Sequence, residues 1–148
     1  MKTRYKILIT IAAALLYFYL VQSHGAPSVA AVYSEAELPA VYADLNEEYF
    51  DGQLPKDAAV DFAERDDRYA AMTRQIASGR FHIALNKDYV AAMETTRLAI
   101  LHEDCHVKTW GQELDQHGRL WLSCMLALDA EGAFRDQIAT LPRSWGSG

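Results

Sequence analysis

The chain has 148 residues, of which 51% are hydrophobic and 23% charged, and 20 acidic against 14 basic side chains leave a formal net charge of −6. That length supports one domain with a real core and is too short for two. The acidic balance, with no Lys/Arg cluster beyond the first six residues, excludes a phosphate-tracking surface, so no nucleic-acid partner is expected.

The N-terminus stands apart. Lys2, Arg4 and Lys6 precede an uncharged run from Ile7 to Val21. A basic flank before a short apolar run is the pattern of a secretory signal peptide or an N-terminal membrane anchor. The run is shorter than the roughly 20 residues of a full span, and Ser23 offers a small residue for cleavage. Residues 1–23 are therefore assigned to a signal or anchor, 24–34 to a linker holding His24 and Pro27, and 35–148 to the domain. The domain is expected outside the cytoplasm, exported or held at the membrane.

Leu38, Val41, Tyr42, Leu45 and Tyr49 share one helical face, so a helix is predicted over 38–50. Pro39 suits its first turn and Asp51-Gly52 its stop. Three short strands follow, over 59–63, 69–77 and 80–86. The last is the clearest, with Phe81, Ile83 and Leu85 alternating against His82 and Ala84. Ser78-Gly79 reads as a tight turn that pairs the last two strands antiparallel. A second helix is predicted over 94–110, closed by Gly111. A third starts near His117 and carries Leu120, Trp121, Met125 and Leu128. Gly132 breaks it before a final helical piece that Pro142 closes. The fold class is α+β, a small antiparallel sheet packed on helices.

The chemistry lies in His102-Glu103-Asp104-Cys105-His106, on the second helix. Positions i and i+4 lie one turn apart on the same face, so two imidazoles can converge on one ion. Neutral imidazole is a good zinc ligand, and Zn2+ is the expected cofactor. Glu103 sits beside the first ligand and is placed to act on a metal-bound water as general base. Such a site usually takes three protein ligands and keeps one position open. The metzincin spacing fails, because Thr109 and Gln112 stand where its glycine and third histidine would be. Asp129 and Glu131 are candidate third ligands on the next helix. His117 is the preferred one, reached across a loop containing Gly111, with Gly118 beside it to ease a close approach.

His102-Glu103-x-x-His106 followed by His117-Gly118-x-x-Trp121 resembles the SprT-like family, which includes the Spartan-type proteases. Leu45-Asn46-x-x-Tyr49-Phe50-Asp51-Gly52-x-Leu54-Pro55 is similar to that family's first helix and its exit. Residues 80–86 are similar to its strand before the metal helix. The resemblance covers about residues 38–130. It implies a zincin-like metalloprotease domain with His102, His106 and His117 as zinc ligands, Glu103 as catalytic acid/base and a protein or peptide substrate. Family members often carry a four-cysteine zinc ribbon, and this chain has two cysteines in all. Spartan-type members act at protein–DNA crosslinks, and the acidic charge argues against carrying that partner over.

Cys105 and Cys124 lie on successive helices. Spacing does not decide between a disulfide and two small buried thiols, and the thiols are preferred. His82 reads as a surface or supporting residue, Asp104 as solvent-exposed, and Trp110 and Trp121 as core or pocket-wall residues. His24 is given no role. The competing reading is a zinc-stabilised binding module without turnover, closed by a fourth ligand such as Cys105, His82 or Asp115.

Overall fold

The computed structural model describes residues 33–63, 69–90 and 92–135. The signal or anchor, nearly all of the linker and the final helical piece before Pro142 lie outside these residues. Among the described residues no helix is long and apolar enough to cross a membrane. A short 3-10 helix, Glu35–Glu37, leads into α1 (Leu38–Phe50), β1 (Ala59–Ala63), β2 (Ala71–Ala77), β3 (Arg80–Asn86), α2 (Met93–Thr109) and α3 (Arg119–Glu131). The architecture is α+β, as expected.

Helix α1 carries Pro39 in its first turn and ends at Asp51, whose φ of 54° is left-handed. Aspartate tolerates that region better than most residues, and Gly52 follows at φ 66°. The buried side chain of Asn46 then clamps the exit. Its Nδ2 donates to the Leu54 carbonyl at 3.1 Å and its Oδ1 accepts from the Leu54 amide at 3.0 Å. Tyr42 donates its hydroxyl to the Pro55 carbonyl at 2.7 Å. The Asn-to-Leu-Pro spacing in the sequence thus satisfies backbone groups that the turn would otherwise bury unpaired.

The sheet order is β1-β3-β2. β2 and β3 form the expected antiparallel hairpin, with Gly79 at φ 70° in the turn and an irregularity near Gln75. β1 joins β3 in parallel, which corrects the all-antiparallel expectation. The chain leaves β1 and lays β2 on the far side, so β3 returns between them in the direction of β1. Phe81, Ile83 and Leu85 face the core, while His82 lies on the opposite face. There its Nε2 is 2.8 Å from Asp61 Oδ2, and Arg74 Nε donates to its Nδ1 at 3.3 Å.

Helix α2 is buried along its whole middle: every residue from Leu98 to Cys105 is enclosed. It is the central element, packed against β2, β3, α1 and α3. This overturns the expectation of a solvent face at Asp104, which is fully buried. An amphipathic reading assumes one wet side, and this helix has none over its middle two turns.

Cys105 and Cys124 are joined by a disulfide that ties α2 to α3, with Cα atoms 5.7 Å apart. This corrects the preference for two free thiols. The two helices cross where those positions meet, at a separation within bridging reach.

Candidate metal centre

Helix α2 presents His102 and His106 from successive turns. His117 reaches them from the loop between α2 and α3, because α3 begins at Arg119, later than expected. Two loop acids explain the late start. The Glu113 carboxylate accepts the Leu120 amide at 2.7 Å and so caps α3 from outside. Asp115 accepts the His117 amide at 3.0 Å, which bends the chain just before Gly118.

Three ligand nitrogens, one from each histidine, lie within 4.8 Å of one another. His102 Nε2 is 3.2 Å from His106 Nε2 and 3.3 Å from His117 Nε2. Tetrahedral zinc with Zn–N bonds of 2.0–2.1 Å places its ligand atoms about 3.3 Å apart. The two spacings from His102 match that value, and the three-histidine cluster could hold a metal ion. Asp129 and Glu131 do not belong to this cluster.

All three imidazoles are held below their ordinary range. Burial is the main cause for His102, followed by the neighbouring His106 and His117. His106 is pushed down to about 4 by burial, then by His117, against a raising contact from the Gln116 backbone. His117 is lowered by burial, against Asp115. Neutral lone pairs are therefore available at neutral pH, the form that metals bind.

Glu103 is buried, with Oε1 4.0 Å from His102 Nε2. Burial raises its carboxyl to about 7, while side-chain and backbone contacts from Thr73 on β2 work in the other direction. Thr73 had no signal in the sequence; only the β2–α2 packing places it there.

Trp121, in the first turn of α3, touches all three histidines. Its ring centroid lies 4.8 Å from that of His102, 5.6 Å from His106 and 4.5 Å from His117. Its Nε1 donates to the His102 carbonyl at 3.4 Å. Trp110 is instead a pocket wall. It is 37% exposed, meets Phe81 edge-on, and with Thr109, Leu114 and Gln116 borders a pocket of about 290 Å³ beside His106.

Both carboxylate oxygens of Asp104 are buried without a hydrogen-bond partner. Burial, and then Glu103, raises its carboxyl well above the usual range. The folded state thus binds a proton that the unfolded chain releases above its ordinary value of 3.8. This group therefore costs stability as pH rises past that value. Asp104→Asn, whose amide is neutral without taking up a proton, is expected to be more stable at pH 7 by about 1–3 kcal/mol, the order of the protonation cost it removes. The difference should shrink toward pH 4. Chemical unfolding at both pH values checks it, and a variant less stable at pH 7 would contradict this account.

The SprT-like family model matches residues 38–140. No curated protein and no solved structure matches the chain. The matched stretch runs from the first residue of α1 through the histidine cluster and past the end of α3. It includes the three helices and the three-stranded sheet, an arrangement consistent with a zincin-like domain. On that match the chain belongs to the SprT-like family.

Proposed function

We propose that this protein is a zinc-dependent metallopeptidase that hydrolyses peptide bonds of a protein or peptide substrate outside the cytoplasm or at the membrane face. The observation that carries the reading is the convergence of His102, His106 and His117, with ligand nitrogens within 4.8 Å of one another, beside the buried carboxyl of Glu103. A zinc held by His102, His106 and His117 would supply an acidified water and Lewis acidity. Glu103 takes the proton from the attacking water as its oxygen bonds to the carbonyl carbon. It then delivers that proton to the leaving nitrogen as the C–N bond breaks. Thr73 lies near the Glu103 carboxyl and favours its ionised form, against the effect of burial. β2 is an edge strand of the sheet, and an extended peptide can add to such an edge through main-chain hydrogen bonds.

The competing binding module needs a fourth protein ligand. Cys105 is committed to its disulfide, His82 is on the far face of the sheet with Asp61, and the Asp115 carboxylate accepts the His117 amide. Among the described residues the cluster offers three donors, and a site of three protein ligands is the catalytic pattern. The location outside the cytoplasm rests on the basic flank, the apolar run at 7–21 and the disulfide, a bond that persists in oxidising compartments.

Metal content of the full chain is the test, with His117→Ala beside it. About one zinc per wild-type chain is expected, with affinity falling by at least about tenfold in the variant. Zinc-dependent cleavage of an unfolded protein substrate should accompany it. A wild-type chain that takes up no zinc after reconstitution would sink the proposal; zinc uptake without cleavage would favour the binding module.

A further inference from the structure

The disulfide lies directly behind the histidine cluster. Cys105 immediately precedes His106 on α2, and Cys124 follows Trp121 by one helical turn on α3. Both half-cystines are buried. Each metal-facing group on the α3 side hangs from the segment that this bond anchors. His117 is two residues before α3, and Trp121, in its first turn, touches all three imidazoles. The loop that delivers His117 is held by its own caps, the Glu113 and Asp115 carboxylates, both on its outer side. One covalent link therefore fixes the position of α3 against α2 at the level of the ligands.

We infer that Cys105 and Cys124 are positioning residues whose oxidation completes the metal centre, so that the chain binds its metal tightly only after the disulfide has formed. The inference rests on the three-histidine reading above and extends it to when the site is competent. With the bond closed, His117 meets His102 and His106 at a high effective concentration. With it open, α3 can shift, and part of the metal's binding free energy goes into ordering the loop. Closure needs an oxidant of the disulfide class. The two thiols give up two protons and two electrons, the Cys105–Cys124 bond forms, and the oxidant's own disulfide is cleaved to two thiols. In a reducing compartment the chain stays a weak metal binder, which would keep a protease idle before it reaches an oxidising one.

Coupling between two sites is reciprocal, so two readouts test one quantity. The first is zinc affinity of the full chain, by competition with a chromogenic chelator. Oxidised protein is compared with protein reduced by a phosphine and with Cys105→Ala/Cys124→Ala. Opening the bond is expected to weaken zinc binding about 10- to 100-fold, the range seen when groups that orient a ligand are lost. The second readout keeps the informative state folded even if the open form unravels. The thiol–disulfide equilibrium of the wild type is measured in glutathione buffer with saturating zinc and with chelator. Zinc should shift it toward the disulfide by the same factor, and His117→Ala should abolish the shift. Equal zinc affinity in the oxidised and open forms, or a redox equilibrium indifferent to zinc, would overturn the inference while leaving the metal centre intact. Absence of zinc binding in the oxidised wild type would instead refute the metal reading on which it rests.

Discussion

Glu103→Gln is expected to lower peptide hydrolysis by about 10²- to 10⁴-fold, the usual contribution of a positioned acid–base group, while one zinc per chain is retained. The two parts of this expectation have different origins. Metal retention follows because Glu103 Oε1 is 4.0 Å from the nearest ligand nitrogen and is not one of the converging donors. The amide has the same shape, so the packing against Thr73 survives. Loss of rate follows because a glutamine cannot take a proton from water. Burial holds the Glu103 carboxyl at about 7. A base must be ionised, so activity should rise with pH along an acid limb. A bound dication favours the ionised form and moves that limb below 7. Any residual activity of the glutamine variant should lack the limb. Steady-state rates across pH, with metal analysis of both proteins, check the result. A variant that keeps both full activity and the limb would remove Glu103 from the mechanism.

Trp121→Ala is expected to produce the largest loss of stability, about 3–5 kcal/mol for truncation of a buried aromatic, together with weaker zinc binding. The indole is 2% exposed and belongs to the core. It also sits between α3 and α2, with all three imidazoles packed on it. Its removal opens a cavity and frees the rings to rotate at once. Measuring unfolding in excess chelator isolates the packing part, and zinc competition isolates the ligand part. Trp121→Phe restores most of the apolar contact and loses only the donor to the His102 carbonyl, so it should recover most of the stability at a residual cost of about 1 kcal/mol. Loss of less than 1 kcal/mol in the alanine variant would show that the indole does not organise the site.

Much of the frame is legible in the residue order. The bounds of α1 and β3 follow from apolar spacing and from Pro39, Asp51-Gly52 and Ser78-Gly79, and β1 lies where the weakest strand signal places it. These are local effects, set by steric preferences within a few residues. The His102–His106 pair is equally legible, because side chains at i and i+4 share one face when the segment is helical, and His117 joins them in one cluster. His117 needed a longer inference, and its position off the helix depends on Glu113 and Asp115 acting as caps, a role no simple pattern announces.

Residue order specifies the three helices, the three strands and the donor atoms available to a cation, though not the 3-10 helix at Glu35–Glu37. The rest was decided by tertiary packing. The parallel pairing of β1 with β3 depends on which side of the sheet β2 takes, and no residue within either strand encodes that choice. Asp104 reads as a surface acid because one helix is judged against water. It is buried because α2 is enclosed by the sheet and two helices at once. Thr73 reaches Glu103 only through the approach of β2 to α2. Cys105 and Cys124 are 19 residues apart, a separation compatible with either free thiols or a bond, and the crossing of α2 and α3 brings them within reach. Each of these outcomes is a contact between distant segments, fixed by how several elements fill one core together, which a local pattern of residues cannot specify.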